Sequence, residues 1–183
     1  TAVVLNNTVE QPRMATVDVQ VPYYGYKHVR VFEKGGVEVP SQVNSIEGDK
    51  MNITIVAYVP ALGYKVVDVL YSEVPCNINT GLRADKNVIE NYKYIVTVDK
   101  NGDISSIIDK TLSNTQLLRK PIRFEINKYD GTKEYVAWEL TYKELDKYPW
   151  EFAEKGVCSI VEAGAVRVTL KVTQKAAKST FTY

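Results

Sequence analysis

Between Ile89 and Lys110 the chain reads IENYKYIVTVDKNGDISSIIDK, two segments of alternating residues joined by a polar turn. In an extended chain Tyr94, Val96 and Val98 project to one side and Lys93, Ile95 and Thr97 to the other. β-branched residues recur in both sets, and such side chains pack well on a pleated surface. The Asn101-Gly102 pair favours the positive φ angles that a tight reversal of a right-twisted ribbon needs. Ile104 to Ile108 is therefore expected to return beside Tyr94 to Val98 as a hairpin.

The same period of two runs through the first third of the chain. Val3 to Leu5 is a short strand, and Ala15, Val17, Val19 and Val21 alternate with Thr16, Asp18 and Gln20 up to Pro22, which closes the ladder. Val29 to Glu33, Val37 to Val39 and Gln42 to Ile46 follow, with Gly35-Gly36 as a turn. Met51, Ile53, Ile55, Ala57 and Val59 alternate without a break, and Tyr64 to Tyr71 resumes after Pro60 to Gly63. Short strands separated by turn residues, with no helical period, predict a small immunoglobulin-like sandwich over residues 1–71.

From residue 72 to 87 neither period holds, so this stretch is expected to be a linker, with a second all-β domain over 88–183. Leu117-Leu118 and Ile122 to Ile126 are expected strands, and Lys143 to Gly156 is expected to be a loop. Val157 to Glu162 and Val166 to Val172 form a second expected hairpin about Ala163-Gly164. Thr180 to Tyr183 is still in strand pattern where the sequence stops, so the second domain is expected to be the truncated first part of a larger antiparallel β-sandwich, a supersandwich.

Composition removes some classes of function. With 23 basic and 22 acidic residues in 183, the net charge of +1 offers no footprint for nucleic acid or an anionic membrane. No apolar run approaches the roughly 20 residues of a bilayer span, and Thr1-Ala2-Val3-Val4-Leu5 shows no leader. Cys76 and Cys158 are too few and too far apart for a disulfide framework, so both are expected as free thiols and the expected compartment is the cytoplasm. Asn6-Asn7-Thr8 and Asn52-Ile53-Thr54 match the glycosylation tripeptide, which carries little weight without a secretory context.

Four segments, in order, carry a resemblance. They are Val59-Pro60-Ala61-Leu62-Gly63-Tyr64-Lys65, the hairpin from Ile89 to Lys110, Val136-Ala137-Trp138-Glu139-Leu140, and Val161 to Val168 with Ser179-Thr180-Phe181. Together they resemble the C-terminal β-region of the family 38 glycoside hydrolases, the α-mannosidases. The resemblance implies a non-catalytic part of a retaining glycosidase whose aspartate nucleophile and zinc site lie in a catalytic domain upstream. It implies that domain as a partner, with a contact to sugar, and zinc as the parent's cofactor.

The residues agree in assigning no catalytic, cofactor-binding or metal-ligating role within the chain. No spacing selects a pair of carboxylates for glycoside hydrolysis. His28 is the sole histidine and lies on the polar face with Tyr26 and Arg30. Asp99 to Asp103 imitates the start of a calcium loop, but glycine comes too early and Lys110 stands where a glutamate belongs. Trp138, Tyr142, Tyr148 and Trp150 border the expected loop and are read as an interface before a sugar platform. Two other functions compete, a stand-alone carbohydrate-binding module and an immunoglobulin-like interaction module, which the fold alone does not separate. A homodimer is expected, through the exposed sheet edge around residues 179–183 or by burying the Trp138 to Trp150 region.

Overall fold

The computed structural model describes residues 1–126, 138 and 151–183. Among them the chain is all β, in antiparallel sheets, with one three-residue helical turn at Lys110–Leu112. Two compact units divide it. The first comprises Thr1–Ala84 and Val161–Thr169, the second Asp85–Ile160 and Leu170–Tyr183.

The first unit is built on β1 (Ala2–Asn7), β2 (Arg13–Pro22), β3 (His28–Glu33), β4 (Glu38–Val39), β5 (Ser41–Glu47), β6 (Lys50–Val59) and β7 (Gly63–Ser72). They form two sheets, ordered β1-β7-β3-β4 and β2-β6-β5, which is the strand count of an immunoglobulin constant-type sandwich. β2 and β6 pair without interruption from Arg13 opposite Val59 to Pro22 opposite Lys50. Pro22 ends the ladder, where its missing N–H is least costly. The inward residues of each strand meet in one core, in which Val31, Met51, Ile53, Ile55, Val67 and Val69 are fully buried. Burying a side chain of this size is worth about 1.5–3 kcal/mol.

Thr54 is also fully buried, although it points out of that core. Asp18, Thr54 and Gln42 stand in one cross-strand row on the outer face of the β2-β6-β5 sheet. The Thr54 hydroxyl donates to Asp18, and Asn44 Nδ2 donates to Thr54 at 2.6 Å. The chain turn at residues 164–167 docks on this row, where Gln42 Oε1 accepts from the backbone N–H of Val166 at 3.3 Å and of Arg167 at 3.0 Å.

β8 (Arg83–Asp85) carries the chain into the second unit, followed by β9 (Val88–Glu90), β10 (Tyr94–Val98), β11 (Ile104–Asp109) and β12 (Thr115–Gln116) in a sheet ordered β12-β11-β10-β9-β8. Next come the paired β13 (Glu125–Ile126) and β14 (Glu151–Phe152). β15 (Glu154–Ala163), β16 (Val168–Ala176) and β17 (Ser179–Thr182) make a three-stranded sheet in that order.

Several local expectations need correction. The β10–β11 hairpin forms, but Asn101 has no positive φ; only Gly102 does, at +91°. The Asp99 carboxylate accepts from the N–H groups of Asn101 and Asp103, Gly102 N–H donates to Asp99 C=O, and a register shift falls at Thr97/Val98. An Asp side chain that caps its own loop favours this longer, bulged turn over the two-residue one. β8 lies in the stretch 72–87, too short for its period to be read. The strand expected at Leu117-Leu118 sits instead at Thr115–Gln116, and Ile122 makes only a single bridge to Ile104, beside Pro121, which has no N–H for a ladder. In the expected loop, Glu151–Phe152 and residues 154–156 belong to strands, whereas 143–150 lie outside the described residues.

The hairpin turn is locked from both sides within the second unit. A Cβ on Gly156 would lie 2.3 Å from Gly102 Cα, and one on Gly102 would lie 2.6 Å from Gln174 Cγ. Gln174 is fully buried and donates from Nε2 to Asn101 C=O at 2.9 Å and to Asp103 Oδ1 at 3.2 Å, while its Oε1 has no partner among the described residues. The buried Asp103 carboxylate also lies 3.0 Å from Arg123 Nε, although that N–H is not aimed at the oxygen. Arg123 rests on Phe152, 3.9 Å from the ring centre.

Candidate functional site

Where β4 ends, the chain passes Pro40 and crosses from one sheet of the first unit to the other. The Pro40 carbonyl accepts from Val56 N–H at 2.9 Å, and Ser41 is buried with its hydroxyl 3.5 Å from Val29 C=O. This crossing and the start of β3 border a cleft of about 380 Å³. His28, Ser41 and Gln42 line it from the strands, Asn77, Asn79 and Thr80 from the segment after β7, and Ala163 to Ala165 from the β15–β16 turn.

Gln42, Asn79 and Thr80 are each held through part of their hydrogen-bonding capacity and keep the rest open. Gln42 spends Oε1 on two backbone N–H groups and keeps its NH₂. Asn79 Oδ1 accepts from Gly81 N–H at 2.9 Å, an Asx turn that the positive φ of Gly81 completes. Thr80 donates to Ala165 C=O at 2.8 Å and keeps its lone pairs. Ile78, Leu82 and Pro75 add apolar surface.

Among the described residues that line it, none is Lys, Arg, Asp or Glu. Close by, Arg30 and Glu38 form a bidentate pair, Nε to Oε1 at 2.9 Å and a terminal nitrogen to Oε2 at 2.6 Å. The Arg30 hydrogen bond, with a weaker one from the Cys76 thiol, holds the Glu38 carboxyl below its usual range; Glu38 in turn raises Arg30. The two charges are spent on each other.

An aromatic cluster stands beside the start of β3. Tyr24 meets Tyr71 edge-on at 4.9 Å between ring centres, Tyr26 lies 6.1 Å from the same ring, and the Tyr71 hydroxyl donates to Pro22 C=O at 2.7 Å. Tyr24 and Tyr26 are exposed.

His28 stands half-buried among amides and hydroxyls. Among the described residues no three His, Cys, Asp or Glu side chains converge as metal ligands. Asp99 to Asp103 is the hairpin turn. Trp138 is 85% exposed; Tyr142, Tyr148 and Trp150 lie outside the described residues. Cys76 and Cys158 are free thiols, and burial pushes the Cys158 thiol up, with Asp99 adding to it. Among the described residues no helix is long and apolar enough to cross a membrane. The cleft itself was not foreseen: its one local trace is the Asn-Ile-Asn-Thr-Gly run at 77–81, which reads as a turn. No protein-family model matches the chain, and no curated protein matches it significantly.

Proposed function

We propose that this chain is a non-catalytic β-sandwich part of an α-mannosidase-type glycoside hydrolase, bracing a zinc-dependent catalytic domain carried elsewhere in the parent protein. One observation supports this reading most. The described segments that carry the resemblance fall on strands and tight reversals of an all-β chain: Val59 to Lys65 turns β6 into β7, Ile89 to Lys110 spans β9 to β11, Val161 to Val168 reverses β15 into β16, and Ser179 to Phe181 lies on β17. Of Val136 to Leu140 only Trp138 is described.

Hydrolysis of an aryl α-mannoside tests it. The chain alone, supplied with zinc, is expected to show no turnover, and turnover is expected once it is joined to the region encoded ahead of Thr1, which should carry the acid-and-histidine zinc pattern. Activity that co-purifies with this chain alone and is lost on mutating one of its own carboxylates would overturn the reading, as would an upstream region without that pattern.

A further inference from the structure

We infer that the cleft between the start of β3, the start of β5 and segment 77–80 is a binding site for an uncharged pyranoside, a site that the mannosidase reading, which implies a contact to sugar, leaves without residues. The open hydrogen-bonding capacity is of mixed sign: donors on the Gln42 and Asn79 amides, acceptor lone pairs on Thr80, and both kinds on Asn77 and His28, neither of which makes a side-chain hydrogen bond to a described residue. A sugar hydroxyl donates and accepts at once, so neighbouring hydroxyls on a ring match such a set, whereas a purely apolar ligand would strand it without partners.

Charge narrows the class further. A phosphate or carboxylate entering this cleft would leave water and meet no lysine or arginine among the described lining residues, and Arg30 is already held by Glu38. Ile78, Leu82 and Pro75 supply the apolar surface that the C–H face of a pyranose needs, and the volume of about 380 Å³ lies within the ordinary span of small-molecule clefts. Preorganisation comes from the docked turn: Gln42 is pinned by the backbone of Val166 and Arg167, and Gly164 lies so near that a Cβ there would meet Gln42 Oε1 at 2.1 Å. A group already fixed loses little entropy when it binds.

Titration followed by amide NMR tests the site, with methyl α-D-mannopyranoside, methyl β-D-glucopyranoside and mannose 6-phosphate as probes. Saturable shifts centred on residues 28, 42 and 77–80 are expected with at least one neutral glycoside, at a dissociation constant of millimolar order. The phosphorylated sugar is expected to bind more weakly. Asn77→Ala, at an exposed position, should weaken binding roughly fivefold, about the value of one hydrogen bond, whereas Tyr24→Ala should leave it unchanged; retained spectral dispersion in each variant certifies the fold. No saturable shift up to the solubility limit of the sugars, undiminished binding in Asn77→Ala, tighter binding of the phosphorylated sugar, or shifts centred on Tyr24 and Tyr26 would each overturn the site. Such a failure leaves the mannosidase reading intact, because that reading is tested by hydrolysis; absent turnover in turn leaves the cleft intact.

Discussion

At the scale of single residues, two glycines that look alike in the sequence carry different constraints. Gly156 faces backbone: a Cβ there would stand 2.3 Å from both Cα and N of Gly102, and neither can step aside without moving the hairpin turn. Gly164 faces the end of a side chain, Gln42, which can rotate away at the cost of its two backbone N–H partners. Gly156→Ala is therefore expected to destabilise the chain by about 2 kcal/mol or more, as overpacking in a closed site does. Gly164→Ala should cost less, about 1–2 kcal/mol, for two bonds that share one acceptor oxygen. Urea unfolding checks both, read as a lower midpoint at an unchanged slope; equal effects would show that the Gly102 turn yields as easily as a glutamine.

Elements here are pinned by small polar devices at their ends. Glu162, at the end of β15, takes both guanidinium bonds of Arg167, at 2.8 and 2.6 Å, and these, with the Thr169 hydroxyl, hold its carboxyl below the ordinary value of 4.5. Glu38 on β4 is lowered in the same way by Arg30. A folded-state pKa below the unfolded one means stabilisation that is fully present above the unfolded value and lost as pH falls through the folded value. Stability is therefore expected to be level near neutrality and to decline below about pH 4.5, with these two carboxylates contributing modestly because the arginine of each pair stays well exposed to solvent. Carboxyl titration by NMR checks the assignment: Arg167→Met should return Glu162 towards 4.5 and leave Glu38 lowered, and a Glu162 titration unmoved by that change would contradict it.

At the scale of the whole molecule, the exposed strand β17 leads us to expect that copies associate through it. It pairs with β16 along Ser179–Thr182 and, among the described residues, has no strand on its other side. Tyr183 and Val172 exchange both backbone bonds, so by alternation the N–H groups of Thr180 and Thr182 face outward. An open ladder of this kind is adhesive, and we expect the chain to associate through it at micromolar concentration, burying more than roughly 1,000 Å² in all. Thr182→Pro removes an outward N–H and spares the bonds to β16, so it should convert the assembly to monomer in sedimentation without lowering the unfolding midpoint. A wild-type chain that sediments only as monomer would refute this.

What could be read from the chain alone is what depends on near neighbours. Period-two alternation in Arg13–Pro22 and Lys50–Val59 sets the class and the faces, since a residue's side in a strand is decided by its parity, and Pro22, Pro60 and Gly63 mark where ladders stop. The β10–β11 hairpin was legible for the same reason, though its turn type was not, because an Asp99 carboxylate competed with the Asn101-Gly102 signal. Only the tertiary structure decided that Gln174 would be buried against Gly102 and Gly156, that residues 161–169 belong with the first unit, and that His28, Gln42, Asn77, Thr80 and Ala165 would border one cleft. Those groupings join residues tens of positions apart, and a pairing at that distance is chosen by which surfaces remain to be buried once the strands exist.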